Sequence, residues 1–171
     1  GTDSRDAETI AAEIEALGGT LDADSGLNTQ VLAMELLESD FERGLDVFAD
    51  VLLRPAFPAD EVDRERDLQL AAIQAENDRP VTLCHQLLCR ALYRGGHPYG
   101  LPHLGSDTSL ARLDSQALRA WHRARLVSGG VVFAVFGAVD PERAAAAITE
   151  RFAGLPAGPC PPFPPVHTHA I

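Results

Sequence analysis

The stretch from Phe57 to Pro80, FPADEVDRERDLQLAAIQAENDRP, constrains the fold of this chain more than any other. Pro58 and Asp60 suit a helix start, neither Gly nor Pro interrupts the residues that follow, and Pro80 closes the run, so the spacing predicts one long helix. At 100° per residue, Glu61, Glu65, Ala72 and Glu76 fall within roughly 60° of one another, on one stripe. Carboxylates along one helix face are the raw material of a metal or acid–base site. They are also the ordinary pattern of a solvated helix face, and on spacing alone that surface reading takes precedence.

A chain of 171 residues is long enough to bury a real core, and 46% hydrophobic with 23% charged residues describes a globular sequence. The net charge of -11 excludes nucleic acid as the expected partner, because no basic face exists to displace counterions from phosphates. It also disfavours anionic lipid surfaces. Apolar runs stay far below the length of a membrane span, and no signal-peptide pattern opens the chain. The abrupt Gly1-Thr2 start reads as that of an excised segment. Cys84, Cys89 and Cys160 cannot all pair internally; Cys84 and Cys89, five apart on a helix, point to different faces and read as small buried hydrophobes.

Residues 4–17 read as an amphipathic helix with Ser4 as N-cap, Asp6 and Glu8 in the first turn, and Ile10, Ile14 and Leu17 on one face. Gly18-Gly19 ends it. Two half-buried antiparallel strands are expected at Thr20 to Asp24 and Thr29 to Leu37, around a Ser25 to Asn28 turn. Ser39-Asp40 can cap a helix whose core face is Phe41, Leu45, Phe48, Val51 and Leu52, ending at Arg54-Pro55. A helix over Val81 to Tyr93, a loop over Arg94 to Gly100, a short turn at Thr108 to Leu113 and a helix capped by Asp114-Ser115 follow. Val131 to Phe136 is so continuously apolar that a strand buried on both faces is expected. Pro141 opens a last helix, Glu142 to Phe152. The division expected is one domain over 1–155 and a proline-rich linker over 156–171.

Several landmarks run in a characteristic order: Gly1-Thr2 before a Ser-Arg helix start, Glu15 to Gly19, Leu53 to Pro58, Gly96 to Gly100, and Phe136 to Pro141. With the long helix they resemble the insulinase/pitrilysin family of zinc metallopeptidases, the inverted-motif zincins, over nearly the whole chain. The resemblance implies an α+β fold, an antiparallel sheet packed with helices, of the processing-peptidase type. In such a family two half-domains, in one chain or two, enclose a peptide. One half binds zinc through His-x-x-Glu-His and a distant glutamate, and the motif's Glu activates water.

Aligned on that pattern, Glu65 matches the helix's first glutamate, Asp78 and Pro80 match its closing Asp-x-Pro, and the third zinc ligand falls on Ala72. A methyl group cannot coordinate Zn²⁺. No His-x-x-Glu-His occurs in this sequence, Asp22 stands where active halves more often carry Asn, and Asp24-Ser25-Gly26 resembles non-catalytic halves. The resemblance therefore implies a metal-free half that closes the chamber and supports an active partner, with no catalytic residue, metal ligand or cofactor of its own. Non-catalytic halves often grip substrate with an Arg and a Tyr. No Arg lies between Arg5 and Arg43, and Tyr93 and Tyr99 are the two tyrosines, so that pair is not placed. One alternative is the zinc-bearing half with its motif upstream and Glu76, about 6 Å along the helix axis from Ala72, as substitute ligand. The other is a scaffold of the same fold without a peptidase role.

His97 reads as structural within its loop, His85 and His122 as helix residues, His103 as a weak chelation candidate, and His167 and His169 as tail residues able to bind adventitious metal. Neither a nucleophile elbow nor a phosphate-binding Gly-rich loop is present.

Overall fold

The computed structural model describes residues 1–93 and 97–160. In order they form α1 (Ala7–Ala16), β1 (Thr20–Ser25), β2 (Gln30–Glu35), α2 (Phe41–Leu53), α3 (Ala59–Asn77), α4 (Pro80–Leu92), α5 (Asp107–Leu110), α6 (Ser115–Arg125) and α7 (Pro141–Arg151). The class is α+β, with β1 and β2 paired as an antiparallel sheet. Among the described residues no helix is long and apolar enough to cross a membrane. Two compact units emerge: one from residues 1–24, 31–57 and 120–160, the other from 25–30 and 58–119.

In the first unit, α1 begins at Asp6, whose carboxylate accepts the Thr9 amide at 2.7 Å. Ser4, the expected cap, is not at the helix start, because its hydroxyl donates instead to Asp50. The helix ends in a Schellman turn: the Gly19 amide reaches Ile14 O at 3.1 Å and the Gly18 amide reaches Glu15 O at 2.9 Å. Gly18 sits at φ +61°, while a Cβ on Gly19 would lie 2.5 Å from the Glu35 carbonyl oxygen. Gly18→Ala is therefore expected to cost about 1–2 kcal/mol through its left-handed backbone. Gly19→Ala should cost more, because a strand carbonyl must move. Urea midpoints of the two variants check that order.

The β1–β2 hairpin rests on α2 at Gly44, where a Cβ would collide with the Leu36 side chain. Helix α2 then packs on α7 around buried Leu45, Ala49, Ala147 and Phe152, with Phe41, Phe48, Leu52, Leu53, Phe133 and Ile148 against them. Small Ala144 and Ala147 let α7 approach closely. A lattice of ion pairs borders this contact. Arg151 pairs with Asp46 at 2.6 Å and Glu42 at 2.7 Å, and Arg143 with Glu38 at 3.0 Å. Asp140 caps α7 through the Arg143 amide, and Pro141 occupies the first position as expected.

Val131 to Phe136 departs from expectation. Among the described residues it pairs with no strand, and Val132 and Phe136 are 92% and 93% exposed. Its composition is that of a central strand, but no described residue supplies the neighbouring ladder. The flanking Ser128 and Gly129 amides bond to Pro156 O and Gly158 O, so the start of the proline-rich segment lies against them. The rest of that segment, residues 161–171, lies outside the described residues, as do Arg94, Gly95 and Gly96 of the expected loop.

In the second unit, α3 runs from Pro58 to Asp78 without a break, as predicted, and Pro80 opens α4 directly. Helices α3 and α4 pack on each other, and α5 packs on α3. Gln69 donates to Leu104 O at 2.8 Å and Arg66 to Leu113 O at 3.0 Å. Neither long helix buries a residue. Cys84 is exposed and Cys89 half-exposed, not the buried hydrophobes expected, because no described element covers that side of α4.

Candidate functional site

The stripe on α3 is the first place to look for chemistry, since a straight helix must bring Glu61, Glu65, Ala72 and Glu76 onto one face. Glu61 pairs with Arg64 at 2.5 Å, and Glu65 lies 3.4 Å from the same guanidinium, with both Glu65 and Arg64 65% exposed. These are solvated helix-surface pairs. Glu76 is half-buried and accepts the Gln86 side-chain amide of α4 at 2.9 Å. Between them Ala72 presents only a methyl group to solvent.

Zinc needs three or four N, O or S donors converging within about 2.0–2.3 Å. Among the described residues no group of three or more His, Cys, Asp or Glu could hold a metal ion. The donor set on α3 does not fit zinc: one carboxylate is shared with an arginine, one is held by an amide, and the position between them carries no donor.

The histidines sit apart. His97 is buried, stacked on Tyr93 at 5.4 Å between ring centroids, with Nδ1 accepting the Tyr99 amide at 3.2 Å. It organises the turn at Pro98–Gly100, the structural role expected. Tyr99 meets Tyr93 edge-on, and its hydroxyl accepts from Asn28 at 3.2 Å. His122 Nε2 lies 2.8 Å from Leu52 O and its ring meets Phe57 edge-on. His85 lies one turn from Cys89 on α4, and His103 is exposed. His167 and His169 lie outside the described residues. Asp22 is exposed on β1.

The strongest electrostatic site is one that sequence reading missed. Asp50 of α2 has no solvent exposure. It accepts four bonds: from Thr2 Oγ1 at 2.6 Å, Ser4 Oγ at 2.7 Å, Arg5 at 2.8 Å and Arg54 at 2.7 Å. Burial by itself would raise its pKa, but the donors from Thr2, Ser4, Arg54 and Arg5 outweigh it and hold the carboxyl well below the usual range. Backbone bonds from Asp3 to Arg54 and from Ala56 to Gly1 complete the clasp. Oδ2 accepts three of these bonds and Oδ1 the fourth, and with the carboxylate shut off from solvent the arrangement anchors the first five residues. Its signal was the sequence pair Asp50–Arg54, one turn apart.

Comparison with known proteins gives this α+β chain, with its long glutamate-bearing helix after an Arg-Pro turn, its family. Residues 1–106 match the family described as insulinase, peptidase family M16, and the chain belongs to that family. An uncharacterized zinc protease of Mycobacterium leprae is 33% identical over 151 residues, covering 88% of this chain and 34% of that protein. The probable mitochondrial-processing peptidase subunit beta of Arabidopsis thaliana is 26% identical, over 93% of this chain and 30% of that protein. The chain thus spans about a third of the length of the curated relatives it matches. A crystal structure of a peptidase M16 inactive domain from Pseudomonas fluorescens superimposes with TM-score 0.85 at 29% identity, covering 95% of this chain and 40% of that one. A protease from Helicobacter pylori shares the fold, with TM-score 0.76 at 14% identity, over 98% and 40% of the two chains.

Proposed function

We propose that this chain is the metal-free half of an insulinase-family zinc peptidase, closing a peptide-binding chamber against a catalytic half in the same polypeptide or another subunit. The observation that carries the reading is Ala72, a methyl group seven residues beyond Glu65 on the face where the family resemblance puts the third ligand. Glu65 and Glu76 are engaged by Arg64 and Gln86, as structural surface residues would be. The likeness to an M16 domain described as inactive supports the same role. Residues 1–155 form the half-domain in this reading, with 156–171 as its proline-rich tail. The zinc and the water-activating glutamate belong to the partner half.

Many curated relatives are named zinc proteases, which keeps a second reading in play, with Glu76 serving an upstream motif. The test is elemental analysis of the untagged full-length protein and its Glu65→Gln and Glu76→Gln variants. Zinc per chain is expected to be the same in all three. Stoichiometric zinc that disappears in Glu76→Gln, in a variant that melts like the parent, would sink the metal-free reading.

A further inference from the structure

Helix α4 sets a thiol against an imidazole. Residues four apart on a helix share a face, so the spacing of His85 and Cys89 brings the two together without help from any other element. Cys89 Sγ lies 3.7 Å from His85 Nε2 and 3.9 Å from Nδ1, within hydrogen-bonding reach for sulfur. Both residues meet solvent, His85 exposed and Cys89 half-exposed. Cys84 is also exposed but projects about 140° around the axis from Cys89, so the helix carries a second thiol without this pairing. The fixed charge beside the pair is cationic. Helix α4 has no acidic residue, exposed Arg90 follows Cys89 directly, and Glu76, the carboxylate that α3 brings to this helix, is held by the Gln86 amide.

We propose that Cys89 is a thiol–disulfide exchange site, with His85 as its base, for small disulfides that carry carboxylates. A thiol attacks only after losing its proton, and an imidazole at this distance can take it. In the exchange the Sγ–H proton passes to a ring nitrogen of His85, and Sγ forms a bond to one sulfur of the incoming disulfide as that S–S bond breaks. The departing sulfur then takes up the proton. One disulfide is consumed, one mixed disulfide is formed and one thiol is released, with no net oxidation. Arg90 supplies the charge that attracts a carboxylate to the helix. The faces of Cys84 and Cys89 diverge too far for a disulfide between them, so Cys84 cannot expel the adduct, which stays until an external thiol removes it. Metal binding is the weaker use of the pair: two donors leave Zn²⁺ short of a coordination shell, and among the described residues no further His, Cys, Asp or Glu joins them. The site lies apart from the glutamate stripe and stands whichever reading of that stripe holds.

The test exposes the full-length protein to glutathione disulfide at neutral pH and follows adducts by peptide mass spectrometry, with Cys84→Ser reporting Cys89 and Cys89→Ser reporting Cys84. Cys89 is expected to react about tenfold faster than Cys84 despite its lower exposure, and His85→Asn to abolish that advantage. His85 is exposed, so its replacement leaves the fold intact, which a melt of the variant checks. Equal rates at the two thiols, no adduct at Cys89, or a Cys89 rate that His85→Asn leaves unchanged would each overturn the proposal. Cystamine, a dication with the same S–S bond, tests the substrate class. Relative to its rate at Cys84, it is expected to react several-fold more slowly at Cys89 than glutathione disulfide does, and Arg90→Gln should narrow that gap. A Cys89 preference for cystamine would refute the assignment to carboxylate-bearing disulfides.

Discussion

Asp50→Ala is expected to lower stability by about 3–5 kcal/mol, the cost of breaking a buried ion pair while leaving its partners behind. For a chain of this size that is a fall in Tm of roughly 10–15 °C. The loss is large because one deletion strands four donors together: the hydroxyls of Thr2 and Ser4 and the guanidinium groups of Arg5 and Arg54. Arg54 is already 56% exposed and Arg5 keeps its pairing with Glu13, so the hydroxyls of Thr2 and Ser4 are the donors left worst placed. Asp50→Asn keeps the shape but removes the charge, and it carries the pH signature. The folded-state pKa of Asp50 lies below its unfolded value of about 3.9. Its contribution is therefore fully present above that value and is lost as pH falls through it toward the folded pKa. The stability difference between the parent protein and Asp50→Asn should be flat at neutral pH and shrink below about pH 4. Urea titrations at several pH values read this directly, and a difference that grows on acidification would contradict the clasp.

Phe152→Ala is expected to cost about 3–5 kcal/mol, the range for emptying an aromatic side chain from a core. Phe152 is 7% exposed, lies among Leu45, Ala49 and Ala147, and meets the Phe133 ring at a tilt of 48°. The cavity opens at the end of α7, among Leu45, Phe133 and Ile148. Thermal melts give the magnitude. Phe152→Leu, which refills most of the volume, should recover over half of it; equal losses in the two variants would place the ring outside the core.

The long helix was legible because its signals are local: an uninterrupted run between Pro58 and Pro80 leaves the backbone few alternatives. The hairpin and the α2 and α7 helices were legible for the same reason, through alternation and 3.6-residue periodicity. Asp50 was not, because a helix-period reading places it beside Arg54 and says nothing of Thr2, Ser4 and Arg5, more than forty residues earlier. The same distant contact explains why Ser4 leaves the capping of α1 to Asp6. Val131 to Phe136 misled in a different way. Composition records the environment a segment is built for, and no described residue supplies its ladder partners. At the candidate site, Ala72 became meaningful through family resemblance alone. The engagement of Glu76 by Gln86 depends on how α3 and α4 pack, which periodicity does not fix.

The ion-pair lattice between α2 and α7 has a chemical consequence beyond its modest stabilising effect. The chain contains no lysine, so every cationic partner in that lattice is arginine. A guanidinium stays protonated to the alkaline limit of protein stability, where an ammonium would already be neutral. Arg151 therefore keeps Glu42 and Asp46 paired across the basic range: burial by itself would lower its pKa, but Asp46 and Glu42 outweigh that and raise it.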